Sequence, residues 1–157
     1  PPSALSRCFE GGGLCPQKGE TLMGDWLDKI TEDKIAMAEV VQNWAVWRDA
    51  GDWERFRTVW HPDAWMSATW FQGPAEQFIA VGKAGFEKGV NILHFLGGIS
   101  VDVAADRAIS QCKMTISQRG PLAGETVDVG CTGRLSDFFE RRGAAWEVCS
   151  RAPHHID

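Results

Sequence analysis

The feature of this sequence that most limits its fold is a change in the spacing of its apolar residues. Before residue 99, apolar side chains mostly recur every three to four positions, the period of helices that bury one face. After it, apolar and polar residues alternate, as they do in strands that bury one face of a sheet. Helices followed by consecutive hairpin strands favour an α+β domain over an alternating α/β one.

Two helices are predicted in the first part of the chain. The first has Thr31 as its N-cap and Gly51 at the position after its end. Asp52 caps a short second helix, and His61-Pro62-Asp63 ends it as a turn, because proline cannot continue a helix. The predicted buried face of the first helix comprises Met37, Val40, Val41, Trp44, Ala45 and Trp47.

A strand over residues 64–71 comes next, and Gly73-Pro74 opens a third helix. Four alternating strands follow, with predicted turns at residues 104–107, 119–121 and 141–144. A long antiparallel sheet must bury one face. We therefore expect a strongly bent sheet that curls around the three helices as a cone-shaped α+β barrel and encloses a pocket.

Length and charge restrict the classes of function that suit this chain. The 157 residues suit one domain, with residues 1–24 as a flexible extension rich in Gly, Pro and Cys, and residues 25–157 as the folded part. A net charge of −5 without a basic stripe gives no support for nucleic-acid binding, and no apolar run is long enough to span a membrane. Cys8 and Cys15 could close a small disulfide loop, but a reducing cytoplasm suits the chain better.

The aromatic composition is unusual, with eight Trp, eight Phe and no Tyr. Such rings either fill a core or line an apolar pocket, and composition alone favours the core. The candidate pocket-wall residues are Trp44, Trp47, Trp65, Trp70, Phe71 and Phe95.

Arg134 lies in a predicted strand, where it could bind a substrate anion or pair with Glu140 or Asp137.

Five segments together carry a family resemblance: Ala45–Trp53 (AVWRDAGDW), Trp60–Ala64 (WHPDA), Trp70–Pro74 (WFQGP), His94–Gly98 (HFLGG) and Arg134–Gly143 (RLSDFFERRG). In this order they resemble the SnoaL-like branch of the nuclear transport factor 2-like superfamily, over roughly residues 28–151. The resemblance implies a bent sheet with three helices across its open side. The superfamily contains dehydratases, isomerases, polyketide cyclases and non-catalytic binding proteins, so the fold does not determine the function.

The resemblance also implies a pair of site residues. In dehydratase and dehydrochlorinase members, an Asp at the end of the first long helix supports a His at the start of the strand after the third helix. Asp49 and His94 occupy the matching positions. An imidazole accepts a proton near neutral pH, and the carboxylate would fix its tautomer. Taken alone, the two residues also allow a core histidine and a solvent-facing aspartate.

The chain departs from the dehydratase pattern because it has no Tyr to hold or protonate a leaving oxygen. No serine elbow, reactive-cysteine signature or dinucleotide fingerprint is present, which leaves β-elimination, isomerisation or aldol-type cyclisation. We expect a lyase or isomerase without cofactor, acting on a small apolar, cyclic metabolite. A polyketide cyclase and a non-catalytic ligand-binding or scaffold domain are the alternatives. By resemblance, we expect a homo-oligomer (a dimer or trimer).

Other polar residues are assigned structural roles. His61 is predicted to be solvated or capping, and Asp63 beside it to be a turn residue. His154 and His155 could bind a metal together with Asp157, but no fourth ligand has suitable spacing, so no metal site is predicted.

Overall fold

A computed structural model describes the backbone of residues 18–156 and the side chains of residues 23–153. The described residues divide between Thr31 and Glu32 into two units. The proposed Cys8–Cys15 pair and the side chains of His154, His155 and Asp157 lie outside the described residues. Among the residues that are described, no helix is long and apolar enough to cross a lipid bilayer.

The described elements follow the predicted order, with one short strand added before the third helix. They are α1 (Lys18–Ala50), α2 (Trp53–Thr58), β1 (Trp60–Ser67), β2 (Gln72–Pro74), α3 (Ala75–Glu87), β3 (Asn91–Ala104), β4 (Arg107–Leu122), β5 (Glu125–Arg142) and β6 (Ala145–Ile156). The α+β class is thereby confirmed.

Helix α1 begins earlier than the sequence indicated. It starts at Lys18, so Thr31 is an interior residue and its prediction as an N-cap is wrong. The Thr31 hydroxyl instead donates a hydrogen bond to the carbonyl of Leu27, 2.9 Å away, one turn earlier. The predicted inner face is correct in the second half of the helix, where Met37 and Val41 are fully buried.

The end of α1 was predicted correctly and is well defined. Gly51 has a φ of +71°, the left-handed conformation that favours glycine. Its N–H donates to the Arg48 carbonyl at 3.3 Å, and the Asp52 N–H donates to the Trp47 carbonyl at 2.9 Å. This is a Schellman motif. Asp52 then caps α2 by accepting a hydrogen bond from the Arg55 N–H at 3.2 Å.

The six described strands form one curved, open sheet in the order β2-β1-β6-β5-β4-β3. Neighbouring strands are antiparallel except for β1 and β6, which are parallel. The sheet does not close into a barrel, because β2 and β3 remain as edges. Its inner face follows the alternation in the sequence, with Ala108, Ser110, Cys112 and Met114 of β4 all buried.

Two predicted turns are strand residues. Strand β1 already begins at Trp60, so His61-Pro62-Asp63 lies within it. Residues 119–121 lie within β4, whose turn to β5 comes later, at Ala123 and Gly124. Pro121 is tolerated because the pairing of β4 with β3 ends at Arg119, so that side of the strand needs no further N–H donor.

The second unit contains a fully buried ion pair between β5 and β6. Two nitrogens of the Arg151 guanidinium donate to the two carboxylate oxygens of Asp137, and neither side chain is exposed. The Ser110 hydroxyl lies 3.4 Å from the same carboxylate. The Arg151 guanidinium also lies over the Trp44 ring, 4.0 Å from its centroid. Each charge is thus compensated inside an apolar core.

Removing one partner of this pair should be costly. We expect Asp137→Ala to lower the free energy of unfolding by about 3–5 kcal/mol, because it leaves the Arg151 charge buried and unpaired. Urea unfolding followed by circular dichroism measures the change. The matched control is Asp128→Ala, which breaks an exposed Arg119–Asp128 pair across β4 and β5 and should have little effect. Equal losses in the two variants would contradict the prediction.

Candidate active site

The side chains of Asp49 and His94 meet between α1 and β3. The Asp49 Oδ1 atom lies 2.6 Å from His94 Nδ1, and Oδ2 accepts a hydrogen bond from the His94 backbone N–H, also at 2.6 Å. The side chains are only 6% (His94) and 10% (Asp49) exposed. A carboxylate only accepts hydrogen bonds, so a neutral imidazole in this position has its proton on Nδ1 and its lone pair on Nε2.

His94 lines a small cavity, which we call the inner chamber, with a volume of about 80 Å³. Its walls are mainly apolar and come from α1, β1, α3, β3 and the inner face of β4. The Trp44 ring meets the His94 ring edge-on, with centroids 5.1 Å apart. An imidazole on the wall of such a chamber can exchange a proton with an enclosed ligand.

A second cavity of about 290 Å³, the outer vestibule, adjoins the inner chamber. The two cavities share the lining residues Arg48, Trp70, Ile92 and Gln118. Val81 and Phe86 of α3 line the vestibule and are both partly exposed. A ligand could therefore place one end beside His94 and extend into the vestibule.

Four of the six predicted pocket-wall residues are partly buried against the core or lie on the chamber wall. Trp44 and Trp70 line the inner chamber, whereas Trp47 and Phe71 pack against the core without lining it. Substrate contact by Trp44 and Trp70 stays a prediction.

Two further wall candidates, Trp65 and Phe95, do not line the inner chamber, and neither does Arg134, the candidate for binding a substrate anion. Trp65 and Phe95 are 47% and 59% exposed, and Arg134 is exposed as well. Their sequence neighbours Met66, His94 and Leu135 line the chamber, and successive side chains on a strand point to opposite faces. Arg134 therefore does not point inward, and Asp137 pairs with Arg151 instead.

His61 is also placed differently from the prediction. It is 7% exposed rather than solvated, because β1 begins one residue before it. Its Nδ1 accepts a hydrogen bond from the Asp63 N–H at 3.0 Å, and Nε2 lies 3.8 Å from a Glu140 carboxylate oxygen. His61 does not line the inner chamber.

Arg48 is the site residue that the sequence reasoning missed. Its side chain is 5% exposed and lines both the inner chamber and the outer vestibule. Burial lowers the pKa of the Arg48 guanidinium from its ordinary value, and the negative charge of Asp49 opposes that shift. The signal was present in the helical period, since Arg48 lies four residues after Trp44 on the buried face.

Comparison with known proteins supports the family that the sequence suggested. The family model for the SnoaL-like domain matches residues 29–152. The chain is 35% identical over 122 residues to pea pathogenicity protein 2 of Fusarium vanettenii. That alignment covers 76% of this chain and 52% of the relative, so the chain spans about half the length of the curated relatives it matches.

Solved structures share the fold at low sequence identity. A proposed scytalone dehydratase from Novosphingobium aromaticivorans superposes with a TM-score of 0.73 at 16% identity, over 83% of this chain and 89% of that one. A type 2 hexachlorocyclohexane dehydrochlorinase gives a TM-score of 0.71 at 14% identity, over 82% and 88%. The resemblance read from the sequence is thereby confirmed at the level of family and fold.

The end of α1 beside Asp49 offers a test of local packing. A Cβ atom at Gly51 would lie 2.8 Å from the Phe86 ring, whereas one at Gly89, which also has a positive φ, would meet nothing within 4 Å. We expect Gly89→Ala to cost about 1 kcal/mol of unfolding free energy through backbone strain alone. Gly51→Ala should cost about 1–3 kcal/mol more because the ring must move.

Chemical denaturation of both glycine variants measures the difference. Phe86→Ala in the Gly51→Ala background should remove the excess cost. Equal costs at the two glycines would show that the Phe86 ring does not constrain this helix end.

Proposed function

Because this chain belongs to the SnoaL-like domain family, we propose that it is a cofactor-independent lyase or isomerase. In this proposal His94 removes a proton from a small apolar, cyclic metabolite bound in the inner chamber, and Asp49 is its partner. One observation carries the proposal. Both Asp49 oxygens hold His94, one at the ring and one at the backbone, and this leaves Nε2 as the free ring nitrogen of a chamber-lining imidazole.

The geometry suits general-base catalysis. The hydrogen bond from Nδ1 to Asp49 fixes the tautomer in which Nε2 can accept a proton. When Nε2 takes that proton, the ring becomes an imidazolium, and the adjacent carboxylate stabilises the new charge. A positioned base of this kind accelerates a reaction by about 10²- to 10⁴-fold. The largely apolar walls reduce the competition from water for the same proton.

β-Elimination of water is the reaction we favour. The C–H proton passes to Nε2, the C–H electron pair forms the new double bond, and the leaving hydroxyl takes the bonding pair of its C–O bond. His94 can return its proton to that hydroxyl, so water leaves without a tyrosine. The names of the two structural neighbours, a proposed dehydratase and a dehydrochlorinase, also denote eliminations. The inner chamber of about 80 Å³ and the vestibule of about 290 Å³ together suit a compact ring system better than an extended polyketide.

The base can be tested without knowing the natural substrate. The probe is 1-tetralone, a bicyclic ketone whose α-protons exchange in D₂O without any leaving group. We expect the wild type to accelerate this exchange, and His94→Gln to lose at least about 10²-fold of the acceleration. Asp49→Asn should lose a similar factor, because an amide favours the wrong tautomer. Proton NMR follows the exchange.

The matched control is Asp52→Asn at the same end of α1. Asparagine caps a helix as well as aspartate does, so exchange should be unchanged. Exchange at the wild-type rate in folded His94→Gln would overturn the assignment of the base.

A second substrate, 3-hydroxy-1-tetralone, tests elimination, because its loss of water gives 1-naphthol. Exchange without 1-naphthol would indicate an isomerase or cyclase. A wild type that accelerates neither reaction would favour the non-catalytic ligand-binding alternative.

A further inference from the structure

Arg48 is the unusual charged residue of the site. Two other well-buried arginines have carboxylate partners, Arg151 with Asp137 and Arg141 with Asp33. Within the described residues, the Arg48 guanidinium has no hydrogen-bond acceptor, and its pKa is shifted by burial and by the charge of Asp49. Both Asp49 oxygens are already occupied by His94. None of the Arg48 nitrogens is among the fully buried atoms without a partner, so its five N–H donors stay accessible from the cavities that it lines.

The position of Arg48 indicates what could meet those donors. It lines the inner chamber together with His94 and continues into the outer vestibule. A ligand that spans the two cavities would therefore lie beside Arg48, one of the four residues that line both. Gln118, the other polar side chain common to both cavities, can supply a further donor. A cation with unmet donors at such a junction is suited to a ligand oxygen that is negative or becomes negative.

We propose that Arg48 binds the carbonyl oxygen of the substrate and stabilises the enolate that forms when His94 removes the neighbouring proton. This inference rests on the proposed function and narrows the substrate class to carbonyl compounds, of which cyclic ketones are the simplest. The proton moves from the α-carbon to His94 Nε2. The C–H electron pair becomes the carbon–carbon double bond, and the carbonyl π pair moves onto oxygen.

The charges of the site match this step. Before it, the site holds the negative charge of Asp49 and the positive charge of Arg48. The step creates an imidazolium beside Asp49 and an enolate beside Arg48, so each new charge forms next to an opposite one that is already in place. Fixed charges in a water-poor site stabilise such a state more strongly than water does.

Arg48 acts in this scheme as an electrostatic donor and not as an acid. Burial lowers the pKa of its guanidinium, but the ordinary value is so high that the group stays charged. It holds the carbonyl oxygen of the substrate and not the leaving hydroxyl. Returning a proton to a leaving group remains the role of His94.

A phenolate resembles an enolate in charge and shape, so 4-nitrophenol is the probe. Its ionised form is coloured, and absorbance reports both binding and ionisation. 4-Nitrotoluene has nearly the same size but cannot form an oxyanion. We expect the wild type to bind the phenolate, and Arg48→Gln to weaken that binding at least about 10-fold, the value of a charge-assisted hydrogen bond. Binding of 4-nitrotoluene should change less than about twofold, because it depends on apolar contact.

Two controls accompany the measurement. Arg55→Gln removes an exposed arginine of α2 and should leave phenolate binding unchanged. Arg48→Lys keeps the positive charge but lacks the planar guanidinium with its paired N–H donors. It should therefore show an intermediate loss of affinity for the phenolate and no loss for 4-nitrotoluene. The lysine variant keeps the test decisive if Arg48→Gln fails to fold.

Three results would overturn the inference: a wild type that does not bind the phenolate, variants that bind it as tightly as the wild type, or equal losses for both probes. The last would assign Arg48 a packing role. His94→Gln separates this inference from the proposed function. This variant should lose the acceleration of 1-tetralone exchange yet still bind 4-nitrophenolate. The exchange rate therefore tests His94 as the base, and phenolate binding separately tests Arg48 as the oxygen-binding residue.

Discussion

The candidate site depends on one carboxylate that makes two contacts with the same residue. Asp49 holds the backbone N–H and the ring Nδ1 of His94, so it joins the end of α1 to β3 and orients the imidazole. Helix α1 ends one residue after Asp49, at Ala50, and the Schellman motif at Gly51 forms that end. Helix termination and the placement of the proposed base are thus parts of one arrangement.

Three largely buried arginines differ in how their charge is compensated. Asp137 with Arg151 and Asp33 with Arg141 are compensated pairs, which is what burial of charge requires. Asp49 is satisfied by His94. Arg48 alone among these has no hydrogen-bond acceptor within the described residues, and it lies where the two cavities meet. Residues that break a local rule of stability are expected at functional sites.

Local patterns in the sequence predicted the order of the elements, whereas the Asp49–His94 pair came from the family resemblance. The buried face of α1, the glycine at its end and the Asp52 cap follow from short-range rules, and so does the turn at Gly143. Contacts between distant segments could not be predicted in the same way. Whether Phe95 or His94 faced inward depended on pairing across the sheet, and Pro121 was tolerated only because β3 ends its pairing there. Arg48 was missed because a charged residue on a buried helix face looks like an interruption of the pattern.

We infer that Asp49 holds the chamber-lining His94 in the tautomer with its proton on Nδ1 and its lone pair on Nε2. Nitrogen-15 NMR of protein labelled at histidine measures this directly, with His94→Gln used to assign the signal. In the pH range where the ring is neutral, we expect a protonated Nδ1 and an unprotonated Nε2. Replacement of Asp49 by asparagine should move the proton from Nδ1 to Nε2. A neutral His94 that carries its proton on Nε2 in the wild-type protein would contradict this assignment of the tautomer.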